Sequence, residues 1–152
     1  MTARASANPP PRTFVDSNIL VYSRDNSAGW KQKVAQQALD ELWQHACGTL
    51  SNQVLQEFYW NVVRKIDAPL VRDVAREIVE DYFVWCGQTT VNEIREAFEL
   101  ERTANISFWD ALIVACARKN GATRILTEDM NHGQIIAGLE IVNPFRNASH
   151  AI

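Results

Sequence analysis

The sequence predicts an α/β sandwich built on a short, mainly parallel central sheet. Two observations carry this expectation. Short β-like stretches alternate along the chain with longer segments whose apolar residues recur at helical spacing, the pattern of strands joined by crossover helices. At 152 residues, with 47% hydrophobic and 22% charged, the chain has the size and composition of one globular domain able to bury a continuous core. That domain is expected over residues 12–146, between a proline-rich N-terminal tail at 1–11, read as flexible, and a C-terminal tail at 147–152.

The first strand is the apolar Thr-Phe-Val of residues 12–15, which stops abruptly at Asp16 as a buried strand does where it leaves a sheet. A helical turn follows through Ile19 to Tyr22. Gly29 and Trp30 then open a helix to about His45, with Val34, Ala38, Leu39, Leu42 and Trp43 on its apolar face. Gly48 to Leu50 reads as the second strand. From Gln53 to Ile66 the residues Val54, Leu55, Phe58, Tyr59, Val62, Val63 and Ile66 form one wide apolar stripe, and Asp67 and Pro69 end that helix.

Val71 to Tyr82 is helical again, with a charged face of Arg72, Asp73, Arg76, Glu77 and Glu80. The β-branched Thr89 to Val91 predicts a brief strand, and Glu93 to Thr103 another helix. Ser107 starts an almost uniformly apolar helix through Ala117, stopped by Gly121. Arg124 to Thr127 and Glu140 to Val142 are the last two strands, the former running into Glu128 and Asp129.

Composition narrows the function classes. The longest apolar run, Ala111 to Ala117, is far short of the roughly 18 to 20 residues a membrane span needs, so no membrane role is expected. Cys47, Cys86 and Cys116 are odd in number and widely spaced, which fits reduced thiols in the cytoplasm and neither a disulfide framework nor a zinc site. A net charge of -3 argues against broad attraction to a polyanion, so any nucleic acid must bind locally. The cationic pairs Arg64 and Lys65, Arg72 and Arg76, and Arg118 and Lys119 are either such contacts or solvated helix faces. His45, His132 and His150 are scattered and suit surface or hydrogen-bonding roles.

Four acids stand out. In an open parallel sheet, ligands bind in the crevice at the carboxyl ends of the strands, and Asp16 and Asp129 lie there. Each could equally cap a following helix. Asp110 sits in a helix with hardly any polar face, where a buried carboxylate needs a hydrogen bond, a charge partner or a metal. Ser107-Phe108-Trp109-Asp110 also has the Ser-x-x-Asp form of a capping box, which does not preclude a metal role. Glu57 falls off the apolar stripe of its helix, and the wheel alone suggests ordinary exposure. Several carboxylates converging in one crevice would repel and raise their pKa values unless a cation neutralised them. Oxygen ligands without a His or Cys cluster suit Mg²⁺ or Mn²⁺, and phosphodiester hydrolysis is the natural reaction.

The ordered set Val15-Asp16-Ser17-Asn18-Ile19-Leu20, Gln56-Glu57-Phe58, Phe108-Trp109-Asp110-Ala111-Leu112-Ile113 and Leu126-Thr127-Glu128-Asp129-Met130 resembles the PIN-domain family. The closing stretch Gly138 to Phe145 is similar to that of bacterial members of the VapC type. The resemblance implies a PIN-like three-layer α/β/α sandwich, with Asp16, Glu57, Asp110 and Asp129 gathered at one end as catalytic metal ligands for Mg²⁺ or Mn²⁺. It implies a metal-dependent endoribonuclease acting on RNA, the toxin of a type II toxin–antitoxin pair. It also implies inhibition by a cognate antitoxin protein and assembly as a homodimer. Ser17 and Thr127 would be phosphate-contacting or ligand-orienting groups, or simply cap and sheet-end residues. Trp30, Trp43 and Trp85 could line a dimer interface, although core packing suits most tryptophans.

Two other classes share part of this pattern. A noncatalytic PIN-like module that binds RNA or protein without cutting would show a broken acid set, and all four acids are present. A receiver-type phosphotransfer domain also places Asp after its first strand, but it wants a neighbouring acid and a Lys near the last strands. Here Ser17 and Asn18 follow Asp16, and Arg124 to Met130 contains no Lys.

Overall fold

A computed structural model describes residues 8–146; the expected C-terminal tail and most of the N-terminal one lie outside the described residues. The elements run β1 (Thr13–Val15), α1 (Ser17–Arg24), α2 (Trp30–Gln44), β2 (Gly48–Ser51), α3 (Asn52–Arg64), α4 (Arg72–Asp81), a 3-10 turn (Tyr82–Trp85), β3 (Cys86–Gly87), α5 (Val91–Ala104), α6 (Phe108–Lys119), β4 (Arg124–Leu126), β5 (Ile135–Ile136) and β6 (Leu139–Val142). The six strands lie in the order β3-β2-β1-β4-β6-β5, parallel throughout except for the β5–β6 hairpin. Helices α1 to α4 pack on one another, α5 packs on α6, and the sheet lies between the two groups. This is the expected three-layer α/β/α sandwich.

Burial explains why the strands read as continuous apolar runs. Phe14, Val15, Leu50, Ile125 and Ile141 are fully enclosed because both sheet faces carry helices. Helix α3 presents Val54, Leu55, Phe58 and Val62 to this core, and α6 presents every residue from Ala111 to Ala117. No helix among the described residues is long and apolar enough to cross a membrane.

Two local features differ from expectation. The strand expected at Thr89 to Val91 is not formed; β3 lies at Cys86–Gly87, pairing with Leu50 and Ser51 of β2. Thr90 instead caps α5, its backbone N–H donating to Glu93 Oε1 at 2.8 Å and its hydroxyl accepting from Asn92 N–H. The Thr-x-x-Glu capping box overrides the β propensity of Thr-Thr-Val. The β5–β6 hairpin is an element the sequence reading lacked. Its two turn residues, Ala137 and Gly138, both have positive φ (51° and 85°), the geometry of a two-residue hairpin turn. The usual Asn-Gly signal is absent there, so an Ala hid the turn.

The path of the chain defines a crevice. From β1 it moves outward through β2 and β3 on one side, then returns to build β4 and β6 on the other. The direction therefore reverses between β1 and β4, and in open α/β sheets such a switch point leaves a cleft at the carboxyl ends of the two strands.

Candidate acidic active site

β1 and β4 pair in register Val15↔Leu126, so Asp16 and Thr127 leave the sheet side by side at the switch point. Asp16 is only 5% exposed and performs two tasks at once. Its Oδ1 accepts the Ser17 N–H at 2.7 Å at the start of α1, while its Oδ2 accepts the Thr127 hydroxyl at 2.8 Å. The capping and crevice readings of Asp16 are thus both true. Its pKa is pushed up to about 6, first by burial and further by repulsion from Glu57 and Asp129; the Thr127 and Ser17 hydrogen bonds oppose the rise.

Asp129 is exposed at the mouth of the cleft, its N–H donating to Thr127 Oγ1 at 3.1 Å. The stretch that follows leads to β5 rather than to a helix, so the alternative of a helix cap is ruled out for Asp129. Asp110 stands in the first turn of α6, half-buried, its N–H donating to Ser107 Oγ at 3.1 Å. Only that half of the expected capping box forms among the described residues. Burial and Asp129 raise its pKa, and Ser107 moderates the rise.

Glu57, one turn into α3, lies off the apolar stripe as the helical wheel indicates, and it is exposed. It nevertheless feels the neighbouring acids. Partial desolvation, followed by repulsion from Asp129 and Asp110, raises its pKa, and hydrogen bonding from Gln53 and Ser17 offsets part of that. Asp16, Glu57, Asp110 and Asp129 therefore sense one another across one cleft, although they are separated by up to 113 positions in sequence.

Asn18 is a residue the sequence reading passed over. Its amide nitrogen lies 3.3 Å from Asp16 Oδ2, 3.3 Å from Thr127 Oγ1 and 3.0 Å from Asp129 Oδ2, and its amide oxygen accepts the Glu128 N–H at 3.2 Å. One neutral side chain thus places N–H dipoles between two carboxylates and fastens the loop after β4 to the start of α1. An Asn in the first turn of a helix carries no local sign of partners 109 to 111 residues away. Glu128, although adjacent to Asp129, is engaged elsewhere: Tyr22 donates to its Oε1 at 2.6 Å and Lys31 forms an ion pair with its Oε2. Only one of these two neighbouring acids is therefore available to the cleft.

The donor set fits a hard divalent cation. Four carboxylates and no Cys or His share the cleft, while His132 is turned away, its Nδ1 accepting the Asn143 N–H at 3.0 Å. Two further oxygens, Ser51 Oγ and Gln53 Oε1, are buried without a hydrogen-bond partner where β2 runs into α3. Ser51 follows Thr49, the partner of Phe14, by two residues, and so stands level with Asp16 at the same end of the sheet. Unpaired buried oxygens of this kind are what an ion or its hydration shell satisfies. Among the described residues, no three Asp, Glu, His or Cys side chains close on a single point.

Comparison with known proteins places this arrangement. A family model described as "PIN domain" matches residues 13–136. No curated protein sequence matches. Among solved structures, one chain of a toxin–antitoxin complex from Klebsiella pneumoniae superposes with a TM-score of 0.63 at 19% identity, covering 87% of this chain and 97% of that one. The VapC20 toxin of Mycobacterium tuberculosis, described as cleaving the sarcin–ricin loop, gives 0.55 at 21% identity over 74% and 86%. A chain of VapBC2 from Rickettsia felis, solved with promoter DNA, gives 0.57 at 17% identity over 85% and 96%.

Proposed function

The chain belongs to the PIN-domain family, and on that premise we propose that it is a metal-dependent endoribonuclease, the toxin of a type II toxin–antitoxin pair. The observation that supports the reading is the pairing of β1 with β4 at the switch point, where Asn18 bridges Asp16 and Asp129, with Glu57 and Asp110 near enough to feel Asp129. These four carboxylates would hold Mg²⁺ or Mn²⁺. When bound, the ion would neutralise the scissile phosphate and make a neighbouring water more acidic.

The chain's own groups prepare that site. Thr127 and the Ser17 N–H fix both oxygens of Asp16, which leaves the carboxylate oriented before any ligand arrives. Asn18 holds Asp129 within reach of Asp16. Burial of Asp16 lowers the local dielectric, which strengthens the attraction to a cation. An acidic cleft also suits an antitoxin segment that inserts a basic side chain, and a toxin–antitoxin complex is among the structures of like fold. Exposed Phe98 and Trp109 pack on either side of the half-buried Phe108 beside Asp110, a surface suited to the expected homodimer.

The test is cleavage of single-stranded RNA by purified protein with Mg²⁺ or Mn²⁺, with EDTA, and by Asp16→Asn and Asp110→Asn. Metal-dependent cleavage lost in both variants is the expected result. Undiminished cleavage in both would remove the mechanism, and RNA binding without cleavage under any metal would indicate a noncatalytic module.

A further inference from the structure

The acidic cleft explains how a phosphate is attacked but not how an acidic protein holds the rest of an RNA strand. Several cations are already neutralised by acidic neighbours. Arg118 pairs with Glu96 and Lys119 with Glu93, while Arg76 pairs with Asp73 and Lys31 with Glu128. Arg64, Lys65 and Arg72 have no carboxylate partner among the described residues, nor do Arg12, Arg24, Lys33, Arg95, Arg124 and Arg146; Arg64 differs in lying over an exposed indole. Arg64 and Lys65 stand at the carboxyl end of α3, whereas Arg72, the first residue of α4, reaches the Tyr59 hydroxyl at 3.5 Å on a face of α3 well away from that of Glu57.

Helix α3 is also the helix of Glu57. At about 100° per residue, Trp60, Asn61 and Arg64 lie within roughly 60° of Glu57, so one face of α3 leads from the acids to the cations. The rise of about 1.5 Å per residue puts Trp60 some 4–5 Å and Arg64 about 10 Å along the axis from Glu57, a span that about one or two nucleotides of an extended strand cover. Trp60 is 47% exposed, and the Arg64 guanidinium lies over its ring at 4.3 Å from the centroid. A cation at the end of a helix complements the helix dipole without any tryptophan beneath it. A half-exposed indole under a guanidinium is instead the composition of a nucleotide platform, offering a stacking surface for a base and a fixed positive charge for its phosphate.

We infer that Trp60 and Arg64 form a subsite for the single-stranded RNA nucleotide next but one to the scissile phosphate, beyond the two nucleotides that flank it. The inference rests on the ribonuclease reading of the acidic cleft and adds where the strand runs. The subsite is independent of base identity, because stacking and phosphate contact are available to every nucleotide.

The experiment compares wild type, Trp60→Ala, Trp60→Phe and Arg64→Ala on two substrates, an RNA oligonucleotide and a dinucleotide too short to span from the cleft to Trp60. Binding of a fluorescein-labelled oligonucleotide is read by anisotropy in an Asp129→Asn background across a salt series. Trp60→Ala is expected to weaken oligonucleotide binding and raise its KM by about tenfold or more, with dinucleotide cleavage unchanged and Trp60→Phe largely restoring affinity. Arg64→Ala is expected to flatten the slope of log affinity against log salt by about 0.7. Unchanged oligonucleotide KM and affinity in Trp60→Ala and Arg64→Ala would overturn the subsite. So would unchanged RNA binding accompanied by a changed oligomeric state on gel filtration, which would assign the surface to a protein contact. Failure of the wild type to cleave either substrate would instead defeat the ribonuclease reading itself.

Discussion

Replacing Asp16 by Asn should stabilise the metal-free protein above neutral pH while it abolishes function. In the native state Asp16 keeps its proton up to about pH 6, against 3.8 for the free side chain. Between those values the folded protein binds more protons than the unfolded chain, so stability is greatest at the acid end and falls as pH rises to about 6, then levels. A shift of about two units corresponds to roughly 3 kcal/mol. Asn keeps an oxygen for the Ser17 N–H, but its new NH2 would face the Thr127 hydroxyl and the Asn18 amide, both of which now donate to Asp16. That conflict takes back about 1–2 kcal/mol. The net expectation is a gain of about 1–2 kcal/mol for Asp16→Asn near pH 8, and a loss of similar size near pH 4. Urea denaturation of both proteins in EDTA across that range reads the difference directly. Parallel stability curves for the two proteins would refute the claim that burial of Asp16 opposes its ionisation.

Other substitutions separate the roles of neighbouring residues. Glu128→Gln should retain RNA cleavage and lose only about 1 kcal/mol by denaturation, because its partly exposed pair with Lys31 is structural; Asp129→Asn should lose cleavage with little change in stability. Asn18→Ala should lower stability by about 1–2 kcal/mol and weaken Mn²⁺ binding in calorimetry, since it frees the Asp129 loop from Asp16. Gly48→Ala should destabilise by about 1–3 kcal/mol in thermal denaturation, because an added methyl would meet the Trp85 ring at 2.5 Å.

The parts of the molecule legible in the sequence are those governed by local pattern. Strand β1 was visible because burial on both faces makes it continuously apolar, and α3 because its buried side chains recur at helical spacing. Asp16 and Asp129 could be placed because strand ends in a parallel sheet open onto a common crevice. Glu57 could not be placed that way. Its wheel position is that of a solvated residue, it is exposed in the structure, and only the motif resemblance put it in the site.

What stayed hidden depends on partners distant in sequence. Asn18 matters through Thr127 and Asp129, and the choice between Glu128 and Asp129 turns on Lys31 and Tyr22. The β3 and β5 errors differ in kind. Thr90 and Glu93 carried a readable capping signal that β propensity masked, whereas Ala137 adopts a left-handed conformation that its identity does not announce. The tryptophans divide likewise: Trp85 is buried, while Trp43 and Trp30 are partly exposed and pack against Trp85 and Phe145 respectively.

Calorimetric titration of Mn²⁺ into the wild-type protein, at a pH above the Asp16 value of about 6, bears most directly on the claim that these carboxylates form one cation site. Saturable uptake is expected in the wild type and none in Asp16→Asn, a variant expected to be folded and more stable at that pH. Equal uptake by both proteins, or no uptake by the wild type, would contradict it.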